Sequence, residues 1–262
     1  MKPTAPPIRP ASRLAVVAAA PARGGIALAL SLAMLALPAA EPGWFPGITE
    51  PIQDVTMAFP VVGVVGARPV AEGASVTNGQ VVIELDKQLE QLDVERKRLA
   101  RDLASSELER LNSLAQRNAI SVSREELGKK KAEFDIARVD LELAAAVLRR
   151  RQILAPFDGQ VALFHKDVGE KCEEQQPVVR VVNTRRCLLV ANVEPRLATG
   201  VRLGQRVPVE VAAGDATVPR EAIVTYVSPV VDAASGLLRI KAEFDNADGK
   251  VRPGVPGHIQ LK

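Results

Sequence analysis

At 262 residues, with 47% hydrophobic and 25% charged residues, the chain has a globular balance and room for one or two ordinary domains. Aromatic residues make up only 3%, too few for base stacking or sugar binding. The formal net charge of +3 comes from interleaved acids and bases rather than a basic face, so nucleic acid is not a partner. His165 and His258 are far apart and lack Cys or acidic partners at ligand spacing, which leaves no metal site. No Ser-His-Asp, Cys-His or paired-carboxylate set converges, so the chain reads as a non-enzyme without a cofactor.

Lys2, Arg9, Arg13 and Arg23 are the only charges before Glu41, and the apolar run "GGIALALSLAMLALPAA" (24–40) follows them. A basic flank, an apolar run and small residues at its end mark residues 1–40 as an export signal or an N-terminal membrane anchor. Residues 41–54, short and proline-rich, read as a linker. Export implies an oxidising compartment, where Cys172 and Cys187 could pair. Each, however, sits inside an apolar alternating stretch, which favours two small buried side chains.

"VVIELD" (81–86) reads as a strand, and a helical pattern begins at Lys87. "VAEGASVTNGQVVIEL" (70–85) and "KDVGEKCEEQQPVVRV" (166–181) form a repeat offset by 96 residues. Gly73 falls on Gly169, Val76 on Cys172, Gln80 on Gln176, and Val82 and Ile83 on Val178 and Val179. Glycines suit the turns and apolar pairs suit the strands. Each half is too small to bury a core alone, so the two must meet in space.

The insert between the halves is helical. Leu85, Leu89, Leu92, Leu99 and Leu103 follow seam spacing, and Leu108, Leu111 and Leu114 continue it with a slip of phase. Leu127, Phe134, Leu141 and Leu148 are seven apart, with Ala137 and Ala144 between them. Leu99, Phe134 and Leu141 are therefore expected on the seam, with Asp140 outside it. "RNAISVS" (117–123) interrupts the pattern, which favours two matched arms over one continuous helix. Asn118 suits the end of the first arm. Ser123 with Glu126 fits a capping box for the second. An antiparallel pair returns the chain to its start, so Lys87 enters a helix rather than a tight β-turn.

From Cys187 onward, five strand-like stretches are separated by Gly, Pro, Asp and Asn. Leu238, Ile240, Ala242 and Phe244 alternate with Arg239, Lys241 and Glu243. That pattern suggests a small antiparallel barrel.

Taken together, "EGASVTNGQVVIELD", "ILAPFDGQV", "VGEKCEEQQPVVRVVN", "LGQRVPVEV", "SPVVDAASGLLRIKAEFDN" and "VRPGVPGHIQL" resemble the periplasmic adaptors, or membrane fusion proteins, of RND-type efflux pumps, within the HlyD-like superfamily. The resemblance covers about Val55 to Lys262. It implies an elongated α+β fold: a split lipoyl-like β-domain with an inserted antiparallel α-helical coiled-coil hairpin, followed by a small antiparallel β-barrel. The expected boundaries are 55–86 and 153–183 for the two lipoyl-like halves, 87–152 for the hairpin and 184–262 for the barrel.

"RLNSLAQRNAIS" is similar to the tip motif with which such adaptors meet a TolC-like outer-membrane channel. The likeness implies that Arg110, Leu111, Leu114 and Ser121 bind that channel. An acidic residue frequent later in the motif would fall near Gly128 and is missing. The resemblance further implies a periplasmic protein at the inner membrane, an RND-type transporter as partner, and a homo-oligomeric ring, plausibly of six subunits. An ABC-type exporter is the alternative partner. "IELDK" also resembles the modified turn of a lipoyl or biotinyl carrier at Lys87, a weaker reading given the 65-residue insert and the export signal.

Overall fold

The computed structural model describes residues 43–117 and 123–261. Its strands are β1 (Gly43–Ala58), β2 (Gly63–Ala67), β3 (Ser75–Val76), β4 (Val81–Leu85), β5 (Gln152–Leu154), β6 (Gly159–Phe164), β7 (Lys171–Cys172), β8 (Pro177–Val193), β9 (Arg206–Ala213), β10 (Ala216–Val227), β11 (Leu238–Asp245) and β12 (Pro256–Leu261). Two helices, α1 (Gln88–Arg117) and α2 (Arg124–Arg149), lie between β4 and β5.

Alternation builds the barrel. Val207, Val209 and Val211 on β9 and Ile240, Ala242 and Phe244 on β11 point into one core with Leu189, Ala191 and Ile259. The strand order is β1-β12-β9-β10-β11-β8, and pairing of β1 with β8 closes the ring of six strands. Closure removes the open edges that a flat sheet would expose.

The sixth strand comes from the segment read as a linker, and this corrects that reading. Residues 43–48 pair with β12, and residues 47–58 pair with β8. The prolines hid the strand in the sequence. Pro51 is tolerated because it stands at a register shift, where the ladder is already irregular. Phe45 packs against the barrel core, as alternation requires.

The second core holds Phe59, Val65, Val76, Val82, Ile83, Leu85, Ile153, Val161, Cys172, Val178 and Val179 among others. The 96-residue repeat is realised here as an exchange. β3 of the first half pairs with β6 of the second, and β7 of the second pairs with β2 of the first. The hydrogen bonds repeat at the same offset: Gly73 N–H donates to the Val161 carbonyl at 2.8 Å, and Gly169 N–H donates to the Val65 carbonyl at 2.9 Å. Val76 and Cys172 are the equivalent buried small residues. Gly79 has φ 82°, and its counterpart Gln175 adopts φ 59° without being glycine. Both cysteines are free and buried, Cys172 in this core and Cys187 in the barrel core.

β8 runs through both cores without a break. Its last residue in the second core, that of the β-module built by the two repeat halves, is Val181, and its first in the barrel core is Cys187. The boundary expected at 183/184 therefore falls inside one continuous strand.

The helices stand on the β-module. Asp86 Oδ1 accepts from Gln88 N at 3.1 Å at the start of α1. Ser123 caps α2 by accepting from Glu125 N at 3.2 Å. Arg151 fixes the root: it lies 2.5 Å from Glu90 of α1 and donates to the Val62 carbonyl at 3.0 Å. Lys97 meets Asp140 at 2.6 Å and Glu107 meets Lys130 at 3.4 Å, so the helices run antiparallel. The expectation for Asn118 lies outside the described residues.

On α2 the seam is the expected one: Leu127, Phe134, Leu141 and Leu148 are half-buried, and Ala144 is buried. On α1 it is not. The inward positions are Glu90, Val94, Lys97, Arg101, Ala104, Leu108, Leu111 and Ala115. Leu89, Leu92, Leu99 and Leu103 are 78%, 62%, 61% and 67% exposed. The leucine stripe and the true seam have the same period, so period alone could not tell which faces α2. Asp140, expected to lie off the seam, pairs with Lys97 across it.

Candidate functional site

Of the sequence-predicted contact residues, Arg110, Leu111 and Leu114 sit on the last turns of α1, the end farthest from the β-module. At about 1.5 Å per residue, the 30 residues of α1 carry that end about 45 Å from the root. Arg110 is seven residues before the end of the helix, or about 10 Å.

Arg110 and Leu114 are one turn apart, so they share a face. Both are exposed, Leu114 at 38%. Among the described residues Arg110 makes no ion pair, and its guanidinium is a planar set of donors of the kind that suits carbonyls or carboxylates. Leu111 is turned by 100° from Arg110 and is only 4% exposed. It packs within the helix pair and supports the tip rather than presenting itself. Ser121 lies outside the described residues.

One turn below Arg110, Glu107 and Glu133 both pair with Lys130, at 3.4 Å and 2.8 Å. The hydrogen bond to Glu133 raises the pKa of Lys130, and the same bond lowers that of Glu133. This cluster holds the two helices together just beneath the exposed face.

At the root, Lys87 is mostly buried and paired with Glu84, which also accepts from Gln152 Nε2 at 3.1 Å. Partial burial pushes the Glu84 carboxyl up, but the bonds from Lys87 and Gln152 outweigh it and leave its pKa below the usual carboxylate value. Lys87 is thus a structural cation rather than a displayed amine.

Sequence reasoning missed the outward stripes. Besides the four leucines of α1, α2 exposes Ile136, Val139, Leu143 and Val147. Their signal was present as a second apolar period on α2, which the sevenfold seam overshadowed.

Comparison with known proteins adds to this geometry. Residues 189–262 match the family model described as the CusB-like β-barrel domain. Multidrug resistance protein MdtA of Shigella boydii serotype 18 is 30% identical over 220 residues, covering 76% of this chain and 52% of that protein. The crystal structure of a MacA-MexA chimeric protein containing the Pseudomonas aeruginosa MexA α-hairpin domain superposes with a TM-score of 0.72 at 18% identity, covering 84% of this chain and 80% of that one. The membrane fusion protein Spr0693 of Streptococcus pneumoniae R6 superposes with a TM-score of 0.64 at 17% identity, covering 84% and 98%.

Residues 189–262 thus carry a CusB-like β-barrel domain, and the chain shares its fold with membrane fusion proteins. It spans about half the length of the curated relatives it matches. The matched barrel segment begins on β8 and includes every later strand, but not β1, which closes the barrel from a point far earlier in the sequence.

Proposed function

We propose that this chain is a membrane fusion protein, the periplasmic adaptor of a tripartite efflux pump held at the inner membrane. It joins an RND-type transporter to a TolC-like outer-membrane channel and exports small molecules. In this reading it is not an enzyme and carries no cofactor. The β-module is the lipoyl-like domain, residues 87–152 form the coiled-coil hairpin, and several copies assemble as a ring.

The observation that carries the proposal is the exposed Arg110–Leu114 face on the last turns of α1, about 33–39 Å along the helix from its root. An apolar contact beside a multidentate donor fits a protein partner that interlocks with the tip. The Lys87–Glu84 pair speaks against a carrier, because a modified lysine must swing free.

Export of a dye or drug tests the reading, in cells that lack the chromosomal copy. Arg110→Asp combined with Ser121→Ala should abolish most export while leaving helicity and melting temperature of the purified variant nearly unchanged. Full export by that variant would return the tip to a simple turn. Co-purification of an RND-type transporter, rather than an ABC permease, decides the inner-membrane partner.

A further inference from the structure

The barrel has two unlike ends. β1 runs from Gly43 to Ala58, which stands opposite Pro177 in the β-module, so Gly43 marks the end away from the module. β9 and β11 also start there and β8, β10 and β12 finish there, as the pairs Gly43–Leu261, Arg206–Ile223 and Leu238–Val193 require. Two loops cover this end, 194–205 between β8 and β9 and 228–237 between β10 and β11. They hold Leu197, Leu203, Val230 and Val231 in water, Leu203 at 67% and Val230 at 70% exposure. The turns at the opposite end carry Asp215, Asp248 and Lys250 and expose no large apolar side chain.

Just behind the apolar loops stand the single Trp and the single Tyr of the chain. Trp44 is the second residue of β1 and Tyr226 the second-last of β10. These strands lie three apart in the ring of six, so the two exposed rings flank the barrel on opposite sides. The same end exposes Arg196, Arg202, Arg206 and Arg239 against Glu194, Glu221 and Asp232. Among the described residues Arg196 pairs with Glu194 and Arg206 with Glu221, whereas Arg202 and Arg239 enter no ion pair. Aliphatic tips, then Trp and Tyr, then unpaired arginines is the order in which a surface meets acyl chains, headgroups and phosphates.

Chain length says what covers this end. The apolar run 24–40 stops at Ala40, three residues before Gly43. Three residues reach at most about 11 Å, and the headgroup layer on one side of a bilayer is about 5–8 Å deep. With the run in the bilayer, the start of β1 stands at most a few Å clear of the headgroups. Lys2, Arg9, Arg13 and Arg23 all precede the run, so the positive-inside rule puts the barrel on the periplasmic face.

We propose that residues 24–40 are retained as a membrane anchor and that this end of the barrel rests on the lipid surface of the inner membrane. Leu197, Leu203, Val230 and Val231 dip below the phospholipid headgroups, Trp44 and Tyr226 sit among them, and Arg202 and Arg239 meet their phosphates. Lipid is the occupant because the tether brings it to this end and to no other. The tether holds one point of the rim and the loops hold the rest, which fixes the barrel upright on the membrane. The inference rests on the reading that the protein is held at the inner membrane, and it names the surface that does so.

Trp44 is the only tryptophan, so fluorescence of the full chain reads its surroundings directly. The chain is reconstituted alone in vesicles of phosphatidylcholine and phosphatidylglycerol, with or without bromine on the upper acyl chains. Brominated lipid should quench Trp44 by about two-fold or more. The variant Trp44→Phe/Val230→Trp moves the probe to the loop across the barrel, where it should be quenched to a similar degree and shielded from acrylamide. Adding Leu203→Asp and Val231→Asp should return that probe to water with circular dichroism unchanged, because both sites are exposed. Quenching at 44 without quenching at 230 would leave the barrel tethered but clear of lipid, overturning the docking. A probe at 230 that is open to acrylamide in vesicles but shielded in native membranes would give this face to a protein and overturn the lipid contact. A mature protein whose intact mass lacks residues 1–40 would overturn the anchor and the inference with it. None of these failures touches dye export by the wild type, which measures the adaptor reading separately.

Discussion

Lys97 Nζ lies 2.6 Å from Asp140 Oδ2 in the helix pair, at a level where a two-helix seam ordinarily carries apolar side chains. The pair is only partly screened from water, with side chains 30% and 43% exposed. Its value is therefore modest, but it sets register, since a slip of one turn would leave both charges facing the partner helix unpaired. Asp140→Ala should cost on the order of 1 kcal/mol. A double-mutant cycle with Lys97→Ala should return a favourable coupling of similar size. Zero coupling would reduce the contact to a surface accident.

Leu111 and Leu99 should behave oppositely, although both are leucines on α1. Leu111 is buried, so Leu111→Ala should cost about 2–5 kcal/mol in chemical denaturation followed by helicity. Leu99→Ala, measured in dispersed protein, should change stability by about 0.5 kcal/mol or less. Equal losses would restore the leucine stripe to the seam.

Two glycines separate space from entropy. A Cβ at Gly159 would stand 2.4 Å from the Val182 carbonyl oxygen, a backbone atom with no room to give. Gly159→Ala should cost about 1–3 kcal/mol or more and show as a lower melting temperature. Gly128 lies within α2 with nothing within 4 Å of a new Cβ. Gly128→Ala should raise stability by about 0.4–1 kcal/mol.

Acid should loosen the strand ribbon that joins the two cores. Arg180 Nε donates to Asp54 Oδ1 at 2.8 Å, and that hydrogen bond holds the Asp54 carboxyl below its ordinary value despite some burial. A lowered folded pKa means the contribution is complete above the unfolded value of about 3.9 and fades as pH falls through the folded one. In wild type, stability should drop with acid below about pH 4 more steeply than in Asp54→Asn. Parallel acid curves for the two proteins would rule Asp54 out.

Alkali should act through Cys187. Burial pushes its thiol up to about 11, outweighing the influence of Asn246. The unfolded thiol ionises near about 8.5, so the unfolded state gains between those values and stability declines as pH rises through the window. The decline should shrink in Cys187→Ala. A thiol reagent at pH 8 should find neither cysteine in the native protein and both after unfolding, as expected of buried thiols.

The sequence alone determined the elements with a strong internal rhythm. The 96-residue repeat located both halves of the β-module, because each half must use the same turns and the same buried pairs. The sevenfold period of Leu127, Phe134, Leu141 and Leu148 found the seam of α2, and the alternation on β11 found the barrel wall.

What only the tertiary structure decided depends on partners distant in sequence. β1 looked like a linker because its prolines mask its alternation, yet pairing with β12 and β8 makes it the strand that closes the barrel. On α1, two stripes share one helical period, and nothing local says which is inside. The ion pairs of Lys97 and Glu107 with Asp140 and Lys130 of α2 turn the charged stripe inward and leave the leucines facing water. Local pattern fixes a period, but the phase of that period belongs to the surface it meets.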